Sequence, residues 1–135
     1  MFVLDASVAA SWCFPDESHQ NAEAAFGLIE QDTALAPALL WFELRNVLLM
    51  GERRNCLSEA QTARFLQYMR ELPIEVDRDP DDSLVLGLAR IHRLSVYDAV
   101  YLELAQRRAI PLATLDRALM NAARAEKVPL VGEGL

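Results

Sequence analysis

FVLDASVAASWCF, residues 2–14, sets three apolar residues in front of an aspartate where a buried strand would ordinarily continue. Phe2 to Asp5 reads as a short buried strand, and the pattern from Ala6 to Phe14 turns helical before Pro15, which disfavours helix at the residue preceding it. A carboxylate at the C-terminal end of a buried parallel strand lies where open α/β sheets bind ligands. Asp is also a good helix N-cap, so Asp5 has two readings on this stretch alone.

The same alternation continues along the chain. Glu17 to Gln31 carries Ala22, Ala25, Phe26 and Ile29 on one helical face, and Thr33 to Ala36 reads as a second strand. Pro37 suits the first turn of a long helix, LLWFELRNVLLMGERR. Ser58 and Gln61 form a capping box opening a helix to Glu71. Ile74 to Asp77 is a third strand, and Pro80, Asp81 and Asp82 begin a helix with Leu84, Val85, Leu88 and Ile91 apolar. Ser95 opens VYDAVYLELAQRR, Ile110 to Leu115 is a further strand, Asp116 begins a helix to about Lys127, and Val128 to Val131 closes as a last strand. Such alternation predicts an α/β fold: one domain over residues 1–135, with a mostly parallel central sheet of 4–5 strands sandwiched by helices.

Composition narrows the class. The chain has 135 residues, 53% of them hydrophobic, but charges interrupt every apolar run well short of a membrane span. The first positive charge is Arg45, so the start has no basic signal-like region, and a cytoplasmic, non-membrane protein is expected. Cys13 and Cys56 lack CxxC spacing and fit a reducing compartment. A net charge of −7 argues against coating nucleic acid through the overall field. The basic residues are Arg except for Lys127. Arg45, Arg53, Arg54, Arg107, Arg108 and Arg117 are candidate phosphate contacts, each with a solvated helix face as the plainer reading.

Four acids break buried patterns. Asp5 ends the first strand; Glu43 sits among Leu39, Leu40, Trp41, Phe42, Leu44, Val47 and Leu48; Asp98 lies in VYDAVYLELA; Asp116 follows PLATL. Each has a bland alternative: Asp98 would complete a capping box with Ser95, Asp116 would cap a helix, and Glu43 would pair with an Arg such as Arg45. A parallel sheet nevertheless brings C-terminal strand ends and the following helix starts to one crevice. Two like charges about 4 Å apart repel by roughly 4 kcal/mol at an effective dielectric of 20, so four anions there call for protonation or a cation. An all-oxygen donor set without His or Cys suits Mg²⁺, or Mn²⁺ in its place, and such an ion can activate water against a phosphodiester. Ser7 and Thr114, each two residues from an acid, are placed to hydrogen-bond these carboxylates.

VLDASVAASWCFPDES, LAPALLWFELRNVLL and SVYDAVYLELAQRRAIPLATLDRAL together resemble the PIN-domain ribonucleases, and within them the VapC-like toxins of toxin–antitoxin pairs. The resemblance spans the whole chain in four separated motifs. It implies a Mg²⁺-dependent endoribonuclease with Asp5, Glu43, Asp98 and Asp116 as metal-binding catalytic acids and Ser7 and Thr114 as supporting hydroxyls. It also implies an RNA substrate, a cognate antitoxin and a homodimer, with Arg45 and Arg117 the nearest candidates for RNA contact. Some PIN domains carry a further acid just after the last aspartate, where this chain has Arg117, Ala118 and Leu119. A free-standing RNA-processing PIN nuclease is the alternative within the family. A phosphoryl-accepting receiver domain is disfavoured because Asp5 stands alone at the first strand and Lys127 lies in the final helix. A DxD phosphatase would want an acid where Ser7 stands.

Overall fold

A computed structural model describes residues 1–14 and 19–133. The helix boundary read at Pro15 and the helix start read at Glu17 lie outside the described residues. Four short strands, β1 (Phe2–Leu4), β2 (Ala34–Pro37), β3 (Ile74–Asp77) and β4 (Leu112–Ala113), form one sheet in the order β3-β2-β1-β4. Every pairing is parallel.

Seven helices among the described residues connect and cover it: α1 (Ala6–Ser11), α2 (Gln20–Ile29), α3 (Leu39–Arg53), α4 (Glu59–Glu71), α5 (Asp82–His92), α6 (Val96–Arg108) and α7 (Arg117–Ala125). Strand side chains alternate between the two faces. Phe2, Leu4, Ala34 and Ala36 join one core with α1 to α4, through Val8, Ile29, Leu40, Leu44, Leu48 and Met69. Val3 and Leu35 point the other way into a second core with α5 to α7, through Val85, Leu88, Leu102, Leu104 and Leu119. With both faces covered, a strand gains nothing from polar alternation, which is why FVL and ALA read as unbroken apolar runs. Among the described residues no helix is long and apolar enough to cross a membrane.

Three boundaries differ from the sequence reading. The last strand shrinks to an isolated bridge between Leu112 and Leu130, where Leu112 N–H donates to Pro129 O at 2.9 Å and Val131 N–H donates to Leu112 O at 3.0 Å, while Pro129 itself has no N–H to extend the pairing. The strand read from Ile110 keeps only Leu112 and Ala113 because Pro111 has no N–H to give, although its carbonyl accepts from Val3 at 2.8 Å. Pro37 closes β2, in register with Asp77, instead of opening α3. The capping box at Ser58 and Gln61 forms with both halves present.

Candidate active site

The strand order decides where the acids meet. The chain runs outward from β1 to β2 to β3 and then returns to the opposite side of β1 as β4, and the helices that follow β1 and β4 cover opposite faces of the sheet. In an open parallel sheet that switch point, at the C-terminal strand ends, is where a crevice opens. Asp5 directly follows β1, and Thr114 and Asp116 follow β4. Glu43 lies in the second turn of α3, which follows β2, and Asp98 lies in the first turn of α6.

Asp5 is 5% exposed and occupies the N-cap position of α1, yet its side chain makes no capping hydrogen bond. Its Oδ2 instead accepts two hydroxyl donors, Ser7 Oγ at 2.7 Å and Thr114 Oγ1 at 2.6 Å. Those hydroxyls accept in turn: Ser7 from the Leu115 amide at 2.9 Å, and Thr114 from the Asp116 amide at 3.1 Å. The capping explanation of Asp5 therefore fails, and the carboxylate is held by a network that spans β1, α1 and the segment after β4. Asp116 does act as a cap, taking the Leu119 amide on Oδ2 at 2.8 Å. Ser95 Oγ accepts from the Asp98 amide at 3.1 Å, so that hydroxyl caps α6.

Glu43 does not pair with Arg45, whose guanidinium lies 5.4 Å from the centroid of the Phe42 ring. Its Oε1 accepts from Tyr101 Oη at 2.6 Å. Tyr101 is fully buried and its part in the site was not read from the sequence; the available signal was its place three residues after Asp98, on the same helical face. The long helix is less enclosed than its composition suggests, because Phe42 is 66% exposed.

The acids act on one another. Burial pushes the Asp5 carboxyl above the usual carboxylate range, and the charge of Asp98 adds to the rise. Burial also raises Glu43, with Asp5 and Asp98 contributing, and raises Asp98, with Asp116 contributing. Among the described residues no ion pair reaches any of the four. Three buried or half-buried carboxylates whose protonation is favoured by burial first and by mutual repulsion second, with no Arg or Lys ion pair among the described residues to offset them, form a site that a cation would relieve. Among the described residues no three His, Cys, Asp or Glu side chains stand as a preassembled metal cluster. Carboxylate oxygens of this kind are the donors that Mg²⁺ takes, one or two directly with water completing its shell.

Of the candidate phosphate contacts, Arg107 is committed elsewhere. Its Nε donates to both oxygens of Glu103, at 3.1 and 2.8 Å, and its two terminal nitrogens bind Asp77 at 3.2 and 2.7 Å. This pairing, which the sequence reading missed, ties α6 to the end of β3. Arg45 and Arg117 are exposed, beside Glu43 and Asp116 in the chain.

An all-parallel sheet covered on both faces, with carboxylates gathered at its switch point, defines an α/β domain with an acidic crevice, and residues 2–125 match the PIN domain. The chain belongs to the PIN-domain family. It is 33% identical over 135 residues to Ribonuclease VapC3 of Pyrobaculum aerophilum, covering 94% of each chain. The solved structure of PAE2754, also from Pyrobaculum aerophilum, shares the fold with a TM-score of 0.70 at 23% identity, over 90% of this chain and 83% of that one.

Proposed function

We propose that this chain is a Mg²⁺-dependent endoribonuclease, with Mn²⁺ as a substitute, and that residues 1–135 work as one PIN domain serving as the toxin of a toxin–antitoxin module. One observation carries the reading: Asp5, Glu43, Asp98 and Asp116 interact at the C-terminal edge of the sheet with no cation among the described residues to balance them. The 33% identity to a protein named as a ribonuclease supports it.

In this reading the four acids hold the ion between them, one or two directly and the rest through its bound water, and Ser7 and Thr114 keep the Asp5 carboxylate fixed through its Oδ2, leaving Oδ1 for the site. When bound, the divalent ion supplies Lewis-acid stabilisation of the scissile phosphate and of the leaving oxygen, and lowers the pKa of water for in-line attack. No side chain need act as nucleophile. The acids also repel the RNA backbone wherever they are not neutralised, so substrate binding and metal loading are coupled. Exposed Arg45 and Arg117 are the proposed RNA contacts. A cognate antitoxin with a basic segment would be drawn to the same acidic crevice. The toxin is read as a cytoplasmic homodimer.

Purified chain incubated with RNA should cleave it with Mg²⁺ and not with EDTA. Asp5→Asn should abolish cleavage while its circular dichroism stays that of the parent; full activity in that variant overturns the mechanism. Expression of the parent, but not of Asp5→Asn, should arrest growth, and unaffected growth would favour a free-standing processing nuclease.

A further inference from the structure

Tyr101 sits where three elements meet. Its hydroxyl donates to Glu43 on α3, its ring is wholly buried on α6, and its oxygen feels the charge of Asp5 at the start of α1. We propose that Tyr101 is a positioning residue for the candidate metal site, its hydroxyl fixing the Glu43 carboxylate through Oε1 so that the other oxygen is preset for the ion. This rests on the reading of the four acids as metal ligands.

The argument is geometric. Glu43 is only half-buried and has several side-chain rotors, so left alone it would sample many orientations. Tyr101 cannot follow it, because the ring is locked in the core with Leu102, Leu104 and Val3. A 2.6 Å hydrogen bond from an immobile donor to a carboxylate is short and charge-assisted, and it names one oxygen out of two. Glu43 Oε2 has no hydrogen-bond donor among the described residues. A tyrosine that merely needed a partner for its hydroxyl would be satisfied by any acceptor. This one takes the acid that is itself interacting with Asp5 and Asp98. Residues that hydrogen-bond metal ligands orient them, and losing such a contact ordinarily weakens metal binding tenfold to a hundredfold.

Tyr101→Phe removes one oxygen and keeps the ring. Mn²⁺ binding, followed by calorimetric titration, should weaken at least about tenfold in this variant, while the melting temperature without metal changes by no more than a few degrees. In a Glu43→Ala background the same change should alter Mn²⁺ affinity less than about twofold, since there is no carboxylate left to orient. Asp5→Asn serves as the control. If Asp5→Asn loses Mn²⁺ binding and Tyr101→Phe binds like the parent, the positioning role is overturned and the metal site stands; if Asp5→Asn also binds like the parent, the metal reading itself fails. A Tyr101→Phe protein that is unfolded without metal, or an equal loss of affinity in the Glu43→Ala background, assigns the hydroxyl to the core and overturns the proposal.

Discussion

Thr114 Oγ1 lies 2.6 Å from Asp5 Oδ2, a hydrogen bond between residues 109 positions apart that joins the end of β1 to the turn after β4. Thr114 is 1% exposed and also accepts from the Asp116 amide, so one hydroxyl serves two acids. Thr114→Val keeps the shape and leaves a buried carboxylate short of a donor and an amide short of an acceptor. It should cost about 1–3 kcal/mol in urea unfolding, and Thr114→Ser should recover most of that.

Without metal, the acid cluster should make the fold less stable as pH rises. Asp5, Glu43 and Asp98 all titrate higher in the fold than as free side chains, mainly through burial. Between the unfolded and folded values the folded protein binds more protons, so stability is greatest on the acid side of that window and is lost as pH rises through the folded values. Asp5→Asn keeps an acceptor for Ser7 and Thr114 and removes the charge. In EDTA at neutral pH its melting temperature should exceed the parent's by a few degrees, and the gap should close in mildly acidic buffer. A variant less stable than the parent at neutral pH would show that the carboxylate is not strained.

Arg107 should matter to stability and little to RNA binding. Glu103 is 1% exposed, and its only charge partner among the described residues is Arg107. Arg107→Met would leave that carboxylate buried and unpaired, at a cost of about 3 kcal/mol measured by denaturant unfolding. Adding Glu103→Gln should return part of the loss, because the uncompensated charge, not the missing contact, dominates.

Much of this was legible in the chain because parallel α/β sheets leave strong marks: FVL, ALA and IEV are apolar or near-apolar runs between helical patterns, and the acids that interrupt such runs are few. Asp5, Glu43, Asp98 and Asp116 stood out on that ground. The strand ends did not, since Pro37, Pro111 and Pro129 each remove a donor and their effect depends on which neighbour needs it. The partners of the acids were also hidden. Whether Glu43 met Arg45 or Tyr101 turns on how the fold brings the end of the Tyr101 side chain on α6 to Glu43 on α3, which local spacing does not carry. Asp5 shows the same limit in reverse, because its sequence position is that of a cap and only the fold supplies the two hydroxyls that claim it.

Gly87 offers a test of the helical layer away from the acids. It lies inside α5, and a Cβ built there meets nothing within 4 Å. Glycine in a helix interior is about 0.5–1 kcal/mol worse than alanine. Gly87→Ala should raise stability by that amount and leave RNA cleavage at the parent rate; a loss of stability would mean that α5 does not accommodate the added methyl group.

Asp116 carries two duties that substitution can separate. Its Oδ2 caps α7 through the Leu119 amide at 2.8 Å, and its charge raises the protonation tendency of Asp98. Asparagine caps as well as aspartate, so Asp116→Asn should leave urea stability within about 0.5 kcal/mol of the parent, whereas Asp116→Ala should lose about 1 kcal/mol. Cleavage should fall in both, because neither supplies a carboxylate. The pair therefore contrasts with Asp5, where asparagine is expected to stabilise the metal-free fold: one acid is built into a helix end and the other is held against the preference of its surroundings. If Asp116→Asn retains the parent's cleavage rate, its carboxylate belongs to the helix alone and the site rests on three acids.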